Sequence, residues 1–241
     1  MIKEIKKNNV KFKVDASLKN SLDFWNMLES GVWEPYTFTI FDKYLSLNHS
    51  YIDIGAWIGP TALYAAEKSK KVYAIEPDET AFKELQKNVN INSDLKNKIS
   101  LFKKCISNTN GTTQLGNTNK WGNSGSSLLC KENWKVSTQV ETLTLETFIQ
   151  ENNINDCSFI KIDIEGAETL VLPNIKDYLN INKPVVYLSI HPPFFNNINE
   201  DYKNIIETLS IYKNIYDTNN NRISLDSLFQ KRNFYSIVCT D

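Results

Sequence analysis

The sequence lacks two features that would place the protein outside the cytoplasm. No run of about 18 apolar residues, the length that a membrane-spanning helix needs, occurs in the 241 residues. The basic N-terminal stretch, residues 1–14, has no continuous apolar segment of the kind found in signal peptides. Cys105, Cys130, Cys157 and Cys239 are scattered without a C-x-x-C pair, which argues against a zinc site or a disulfide framework. We therefore expect reduced cysteines in a cytoplasmic protein with no stable membrane insertion.

The sequence also lacks an excess of positive charge. Lys and Arg number 27 against 28 Asp and Glu, and the net charge is −1. Proteins that bind nucleic acid through its phosphates need a basic surface, so we expect no nucleic-acid partner. Histidine is scarce as well, because only His49 and His191 are present. The chain is long enough for one large α/β domain with a substantial core.

The most informative stretch is residues 51–77, which read as a strand, a glycine turn, a helix, a second strand and an acidic end. The first strand is short and apolar, and Gly55 and Gly59 follow it closely. Helix formers and a second apolar run come next, and this run ends at Glu76 and Pro77. The pattern predicts half of a nucleotide-binding βαβ unit.

The chemistry of this stretch restricts the ligand. Gly55 and Gly59 let a ligand lie against the strand end, because no Cβ intrudes and the chain can take positive φ. Glu76 closes the second strand roughly 20 residues after the turn, where a carboxylate accepts hydrogen bonds from both hydroxyls of a ribose. Asp53 stands where a dinucleotide pyrophosphate would need backbone N–H groups and no negative charge. We therefore predict a nucleoside ligand that has no phosphates and carries positive charge.

Three segments together resemble the FkbM-like branch of the S-adenosyl-L-methionine (SAM)-dependent methyltransferases: DIGAWIG (residues 53–59), YAIEP (73–77) and FIKIDIEGAE (159–168). The resemblance extends over roughly residues 33–191. It implies SAM as the cofactor and the class I methyltransferase fold, an α/β architecture with a doubly wound, mostly parallel Rossmann-like sheet that ends in an antiparallel strand pair. The residues that we expect to bind the cofactor are Asp53, Gly55, Ala56, Trp57, Gly59, Glu76, Pro77 and Ser107.

Ser107 is included because many methyltransferases carry an acidic residue after the third strand to hold the adenine amine, whereas this chain reads Lys-Cys-Ile-Ser at residues 104–107. The adenine contact is therefore expected from Ser107, a backbone group or another part of the chain. The resemblance also places Glu34, Tyr36 and Thr37 beside the cofactor cleft. Core packing and helix capping are the alternative roles of these three residues.

The remaining segments suggest how the chain is organised. We expect residues 1–48 to form a small N-terminal cap and substrate lid, and residues 49–241 to form the methyltransferase domain. Residues 108–129 are polar and read as a mobile or functional loop, and residues 136–143 alternate as an edge strand. The C-terminal runs, residues 212–217 and 234–240, predict a terminal antiparallel pair of strands, and between them lie three consecutive asparagines.

A second group of charged residues lies later in the chain. Side chains alternate along a strand, so Lys161 and Asp163 share one face and point toward the C-terminal edge, where open α/β sheets bind ligands. A charge at the end of a central strand is costly unless it has a partner or a task. His191 follows the next predicted strand at the same edge. We predict Asp163, Glu165 and His191 as catalytic residues; a solvated helix N-terminus and a structural histidine are the alternatives.

The methyl group of a sulfonium is already activated, so the protein must align the acceptor and help it lose a proton. An alkyl hydroxyl needs either a base such as His191 or a divalent ion that lowers its pKa. Asp163, Glu165 and His191 suit either role, and hard oxygen ligands with one imidazole would suit magnesium or manganese. The sequence leaves both possibilities open.

We expect an O-methyltransferase that acts on a hydroxyl of a sugar, in a glycan or a glycosylated metabolite, because FkbM-like enzymes are associated with such products. The polar residues 117–127 and the aromatic Trp33, Tyr36 and Trp121 could contact a sugar. A methyltransferase for another small molecule is the alternative. An NAD-dependent oxidoreductase and a non-catalytic SAM-binding module are further alternatives, and Asp53 with the wider glycine spacing argues against the first. The oligomeric state is left open.

Overall fold

The computed structural model describes residues 1–129 and 131–241, so the prediction of a reduced thiol at Cys130 lies outside the described residues. The strands are β1 (Ile2–Lys7), β2 (Val10–Asp15), β3 (Ser50–Ile54), β4 (Lys71–Ile75), β5 (Ile99–Phe102), β6 (Cys105–Ile106), β7 (Gly111–Asn117), β8 (Ser126–Ser127), β9 (Val136–Leu143), β10 (Cys157–Ile162), β11 (Val185–Ile190), β12 (Asn214–Asp217) and β13 (Tyr235–Thr240). The helices are α1 (Lys19–Ser30), α2 (Pro35–Tyr44), α3 (Pro60–Lys68), α4 (Glu79–Ile91), α5 (Leu145–Glu151), α6 (Glu168–Val171), α7 (Lys176–Asn182) and α8 (Ile198–Leu209).

The main sheet has seven strands in the order β12-β13-β11-β10-β3-β4-β5. The five strands from β11 to β5 are parallel, and β13 lies antiparallel between β11 and β12. The predicted α/β class, the doubly wound sheet and the terminal antiparallel pair are therefore confirmed. The chain proceeds from β3 toward β5 on one side and later returns to β10 on the other side of β3. This reversal leaves a crevice at the carboxyl ends of β3 and β10, where sheets of this type bind ligands.

Two hydrophobic layers cover the sheet because its central strands are buried on both faces. Tyr51 of β3 packs into one layer with Phe41 of α2 and Phe159 of β10, at ring-centroid distances of 5.3 to 5.6 Å. The next residue, Ile52, points to the opposite layer, which includes Phe148 of α5. This alternation with continuous apolar character is the pattern expected of a parallel sheet covered by helices.

The N-terminal segment packs against the first of these layers. The hairpin of β1 and β2 is held to α4 by side-chain amides, since Asn88 accepts from the Asp15 backbone N–H at 2.8 Å and Asn92 accepts from that of Lys13 at 2.7 Å. Phe24 of α1 meets Trp57 edge-on, with ring centroids 4.6 Å apart. The predicted strand and helices of this segment are present, whereas the sequence reading missed β1. The division at residue 48 between cap and methyltransferase domain stays a prediction.

A second, four-stranded sheet corrects two expectations. Its order is β6-β9-β7-β8, so β9 is a strand, as predicted, but pairs on both sides and is not an edge strand. Residues 111–117, predicted as loop, form β7 and pair along their whole length with β9. The first four residues of β7 are polar or glycine and mostly exposed, so they carry no apolar alternation from which a strand could be predicted. None of the described helices has the length and apolar character needed to cross a membrane.

Candidate active site

A cavity of about 560 Å³ opens at the carboxyl ends of the parallel strands, within the size range of small-molecule sites. One part of its wall follows β3 and β4 and consists of Ile54, Gly55, Ala56, Trp57, Ile75, Glu76 and Pro77. Another part follows β10 and β11 and consists of Lys161, Asp163, Ile164, Glu165, Ser189, Ile190 and His191. The two predicted constellations therefore share one cavity.

The glycine turn after β3 is shaped by its neighbour β10. Gly55 has φ 84°, and a Cβ at this position would lie 1.9 Å from the carbonyl oxygen of Asp163. Only glycine permits this close approach of two strand ends. Gly59 has φ 97°, and its missing Cβ leaves room for the Leu85 side chain, which would be 2.7 Å away. Gly59 packs against α4 and is not part of the cavity wall, so its predicted contact with the cofactor stays a prediction.

Glu76 lies at the end of β4, as predicted, and its carboxylate is fixed by backbone groups. One oxygen accepts from the N–H of Trp57 and the other from the N–H of Asp78, both at 2.8 Å. Burial raises the pKa of Glu76 to about 7, although the two N–H donors act in the opposite direction. Each oxygen has a second lone pair, so the carboxylate can still accept hydrogen bonds from a ligand.

Asp53 has its partners within the protein. Its side chain is fully buried and lies outside the cavity wall. One oxygen accepts from the Thr61 hydroxyl at 2.7 Å, and the other lies 3.4 Å from Lys161 Nζ. This carboxylate therefore has a cation partner within the protein, and its predicted contact with the cofactor stays a prediction.

Ser107 is a third residue that the structure places outside the cavity wall. Its hydroxyl donates to Asn108 at 3.2 Å, and its backbone N–H donates to the carbonyl of Leu143 at 2.9 Å. The neighbouring Cys105 and Ile106 line the cavity instead. The backbone of Ser107 therefore continues the pairing of β6 with β9 within the four-stranded sheet, and its predicted contact with adenine stays a prediction.

Lys161 is a site residue whose role the sequence reading did not assign. Its ammonium lies 3.3 Å from Asp163, 3.4 Å from Asp53 and 3.1 Å from the carbonyl oxygen of Gly55, to which it donates. Burial alone would lower the pKa of Lys161, but the charges of Asp163, Asp53 and Glu34 raise it above its ordinary value. The lysine stays charged and ties the ends of β3 and β10 together.

The predicted group of Asp163, Glu165 and His191 is brought together. His191 Nε2 lies 3.5 Å from Asp163 and 3.7 Å from Glu165, and the three residues offer ligand atoms within 4.8 Å of one another. Glu165 adopts a left-handed conformation, with φ 51°, which turns the chain after the strand. The meeting of these side chains is thus observed, while their catalytic role stays a prediction.

Glu168 is a further member of this cluster that the sequence reading did not assign. It is fully buried; one oxygen accepts from the His191 backbone N–H at 2.7 Å and lies 3.2 Å from Nδ1, and the other accepts from the N–H of Gly166 at 2.9 Å. This carboxylate fixes the ring so that Nε2 faces the cavity. The only signal in the sequence is its place at the end of the FIKIDIEGAE segment.

The charges of this cluster depend on one another. Burial opposes protonation of His191, but the hydrogen bond and charge of Glu168, with the charges of Asp163 and Glu165, raise the pKa of His191 to about 9. Burial also opposes ionisation of Asp163, yet Lys161 and His191 hold its pKa below the ordinary value. For Glu165 burial prevails and raises the pKa to about 7. The cluster therefore combines a cationic imidazole with carboxylates of different acidity.

Glu34 reaches the cavity from the N-terminal segment. It precedes α2 with φ 37°, and its carboxylate accepts from the Thr37 hydroxyl at 2.9 Å. Thr37 is buried and also lies 2.8 Å from the hydroxyl of Tyr187. Burial first, and then the charge of Asp163, raise the pKa of Glu34 to about 7. Tyr36 is 47% exposed and lies outside the cavity wall, so of the three residues predicted beside the cleft only Glu34 lines it.

A polar loop closes the side of the cavity near Glu76. Asp78 caps α4 and also accepts from the Gly122 N–H and the Ser126 hydroxyl, both at 2.9 Å. Trp57 Nε1 donates to the Gly122 carbonyl at 3.0 Å. Asn123 and Ser126 are among the loop residues that line the cavity. The part of the predicted loop that follows β7 is therefore held over the side of the cavity near Glu76.

Comparisons with known proteins agree with the geometry. The sequence profile of the Methyltransferase FkbM domain matches residues 53–217. A search of curated protein sequences finds no match. Among solved structures, the methyltransferase FkbM from Methylobacillus flagellatus KT has a TM-score of 0.54 at 18% identity, over 90% of this chain and 52% of that one. The chain thus spans about half the length of that protein.

Two other solved structures have lower scores. The precorrin-6y C5,15-methyltransferase from Geobacter metallireducens GS-15 has a TM-score of 0.47 at 12% identity, over 95% of this chain and 94% of that one. The tRNA m1G37 methyltransferase of M. jannaschii has a TM-score of 0.43 at 14% identity, over 99% of this chain and 55% of that one. The profile match over residues 53–217, which is more than half of the chain, assigns it to the FkbM family of SAM-dependent methyltransferases.

Proposed function

We propose that the protein transfers the methyl group of SAM to a hydroxyl of a sugar, in a glycan or a glycosylated metabolite. The observation that carries the proposal is the cluster of Asp163, Glu165 and His191 in the same cavity as Glu76. Transfer to an alkyl oxygen needs help with the departing proton, and this cluster supplies the groups for that task.

The order of strands separates the two parts of the site. Glu76 follows β4, whereas Asp163 follows β10, two strands away, and His191 follows β11, three strands away. At a strand spacing of about 4.8 Å, these distances correspond to roughly 10 and 14 Å. A nucleoside with its ribose on Glu76 would direct its sulfonium toward Asp163. The acceptor would then lie between the sulfonium and His191.

The reaction mainly requires that the acceptor hydroxyl be aligned with the methyl group of SAM. The carbon–sulfur bond breaks as the oxygen–carbon bond forms, its electron pair stays on sulfur, and S-adenosylhomocysteine (SAH) leaves. The acceptor hydroxyl loses its proton in the same process. Glu165, whose pKa of about 7 leaves it partly ionised at neutral pH, can take this proton, and Asp163 is a second carboxylate of the cluster. His191, oriented by Glu168, has a raised pKa and already carries a proton at neutral pH.

The donor set of the cluster also fits a divalent ion, and we propose magnesium or manganese there. Asp163 and Glu165 offer hard oxygen atoms, and His191 offers Nε2. A carboxylate behind the other imidazole nitrogen, the position of Glu168, is the usual arrangement around metal-binding histidines. An ion held there would lower the pKa of a bound hydroxyl. Loss of activity in EDTA with recovery in manganese supports this proposal. Full activity in EDTA contradicts it and leaves the removal of the proton to the side chains of the cluster.

The cavity wall supports a small polar acceptor. Ser124, Ser126, Ser236 and Asn123 contribute hydroxyl and amide groups. Phe234 lines the cavity and is 59% exposed, and its ring lies 5.2 Å from that of His191. An exposed ring beside polar groups suits the apolar face of a sugar. Tyr36 and Trp121, which the sequence suggested for this contact, lie outside the wall, whereas Trp33 is within it.

The test is direct identification of the methylated atom. The protein is incubated with SAM labelled in its methyl group and with nucleotide sugars, oligosaccharides, catechols or small amines, and the label is located by NMR. The proposal predicts label on a sugar oxygen. Label on nitrogen or on a phenol, with no sugar modified, contradicts it. Titration with NAD in parallel tests the oxidoreductase alternative, and formation of SAH tests that of a non-catalytic module.

A further inference from the structure

The carboxylates that line the cavity differ in what already holds them. Among the described residues of the wall, the acidic side chains are Glu34, Glu76, Asp163 and Glu165. Glu76 is bound by two backbone N–H groups. Asp163 lies beside Lys161 and His191, and Glu165 lies beside His191. The Glu34 carboxylate accepts from the Thr37 hydroxyl, and no cation among the residues that the structure describes lies within ion-pair distance of it.

Glu34 is also placed to take the role that the sequence suggested for Asp53, which is to bind a positively charged group of the ligand. The sequence assigned the positive charge of the ligand to Asp53. In the structure, Lys161 supplies the positive charge beside Asp53, because its ammonium lies close to that carboxylate and donates to the Gly55 carbonyl below the cavity floor. A cationic ligand in the crevice between β3 and β10 therefore needs another acceptor. Glu34, at the start of α2, is the carboxylate of the cavity wall that is still available to accept from such a ligand.

We propose that Glu34 accepts a hydrogen bond from the α-ammonium group of bound SAM. With the ribose on Glu76, the amino-acid end of SAM extends over the crevice, toward Lys161 and the start of α2. Lys161 already uses its three donor positions on Asp53, Asp163 and Gly55, so it does not compete for this end of the ligand. At the amino-acid end of SAM the ammonium is the group that donates hydrogen bonds, since the carboxylate is an acceptor and the sulfonium carries no hydrogen on sulfur.

The inference extends the cofactor site beyond the part of the chain that matches the family profile. That match begins at residue 53, and Glu34 precedes it. The N-terminal segment would then complete the cofactor site, with Thr37 as the positioning residue that holds the carboxylate in the wall. The inference depends on SAM binding by the family and is independent of the acceptor. A protein that binds SAM but modifies no sugar would contradict the proposed acceptor and leave the role of Glu34 intact.

Calorimetry with three ligands tests the proposal. SAM and SAH both carry the α-ammonium, SAM alone carries the sulfonium, and 5′-methylthioadenosine lacks the amino-acid part. In Glu34→Gln, the affinities for SAM and SAH are expected to fall by a similar factor, roughly 10- to 100-fold, as for a hydrogen bond to a charged group. The affinity for methylthioadenosine is expected to stay unchanged.

Three results would overturn the assignment. A lower affinity for SAM with an unchanged affinity for SAH would place Glu34 at the sulfonium. Unchanged binding of all three ligands would remove it from the cofactor site. An equal loss for methylthioadenosine would mean a general disturbance of the cavity.

Two further variants serve as a second test and as a control. Thr37→Val keeps the Glu34 carboxylate but removes its hydrogen-bond donor, and it should weaken SAM and SAH to a smaller extent with the same pattern, even if Glu34→Gln fails to fold. Glu146→Gln removes an exposed carboxylate on α5, away from the cavity wall, and should bind all three ligands as the wild type does. Circular dichroism of each variant verifies the fold.

Discussion

The two ends of the cavity, the proposed cofactor end at Glu76 and the proposed acceptor end at His191, are built in different ways. At the cofactor end, Glu76 is held by backbone N–H groups of residues 57 and 78, close to it in sequence and encoded in one βαβ unit. At the acceptor end, His191 is held by side chains that precede it by 23 to 28 residues and follow a different strand. Backbone contacts tolerate changes of neighbouring side chains, whereas a side-chain cluster fails when any member is removed. The acceptor end should therefore be the more sensitive to substitution in turnover, and the cofactor end in binding.

The largest effect is expected at the acceptor end. Asp163→Asn and His191→Gln should lower turnover roughly 100- to 10,000-fold, the usual contribution of a group that handles the proton in the transition state. SAM affinity should stay close to that of the wild type, because neither residue lies near Glu76. Single-turnover kinetics and calorimetry measure the two quantities separately. A parallel loss of SAM binding would mean that the cluster holds the cofactor or the fold.

A smaller effect, on binding, is expected at the cofactor end. Glu76→Ala should weaken SAM binding by roughly 1.5 to 3 kcal/mol, the range for hydrogen bonds to a charged group. Turnover at saturating SAM should change much less. Because Glu76 also accepts from the Trp57 and Asp78 N–H groups, thermal unfolding of the variant is the necessary control. Unchanged SAM affinity in a folded variant would show that the ribose lies elsewhere.

The pH dependence of SAM binding sharpens the comparison. Burial raises the pKa of Glu76 and of Glu34 to about 7, so both are partly protonated near neutrality. Only the ionised form accepts hydrogen bonds at both oxygens, and affinity should therefore rise from pH 6 to pH 8, by about 10-fold for each group.

The pH dependence of stability has the opposite sign to that of binding. A carboxyl group whose pKa in the folded protein lies above its pKa in the unfolded chain favours folding of the free protein at low pH. That contribution is lost as the pH rises toward and through 7. Calorimetry at pH 6, 7 and 8 should show a weaker dependence in Glu76→Gln and in Glu34→Gln, and almost none in the double variant. A double variant with the full dependence would assign it to other groups.

The smallest effect concerns the loop beside Glu76. Gly122 has φ 85°, and an added Cβ would lie 2.8 Å from Thr80 Cγ2. Gly122→Ala should cost about 1 to 2 kcal/mol of unfolding free energy, the penalty of a left-handed conformation, and should weaken SAM binding a few-fold. Gly125→Ala is the matched control, because Gly125 has no positive φ and its Cβ would meet nothing closer than 3.6 Å. Equal effects of the two substitutions would contradict the role of the Gly122 turn.

Local sequence was sufficient for much of the fold. The alternation of short apolar runs with helical spacing predicted the βαβ unit of residues 51–77, the family resemblance implied the parallel sheet, and the terminal strand pair was predicted within two residues at its ends. The second sheet was missed because the solvent-exposed half of β7 has no apolar pattern. The periodicity of apolar residues shows which side of an element is buried, and it gives no signal where an element buries few side chains.

The sequence by itself determined which residues stand at the ends of the strands, including Glu76, Asp163 and His191, because strand ends follow from local pattern. Only the tertiary structure decided their partners. The register of β3 against β10 puts Lys161 beside Asp53, whose carboxylate is buried outside the cavity wall, and the same approach makes glycine necessary at residue 55. The turn after β10 likewise brings Glu168 under His191, and α2 brings Glu34 into the wall. Such pairings depend on how separate elements dock in space, and no spacing within one segment encodes them.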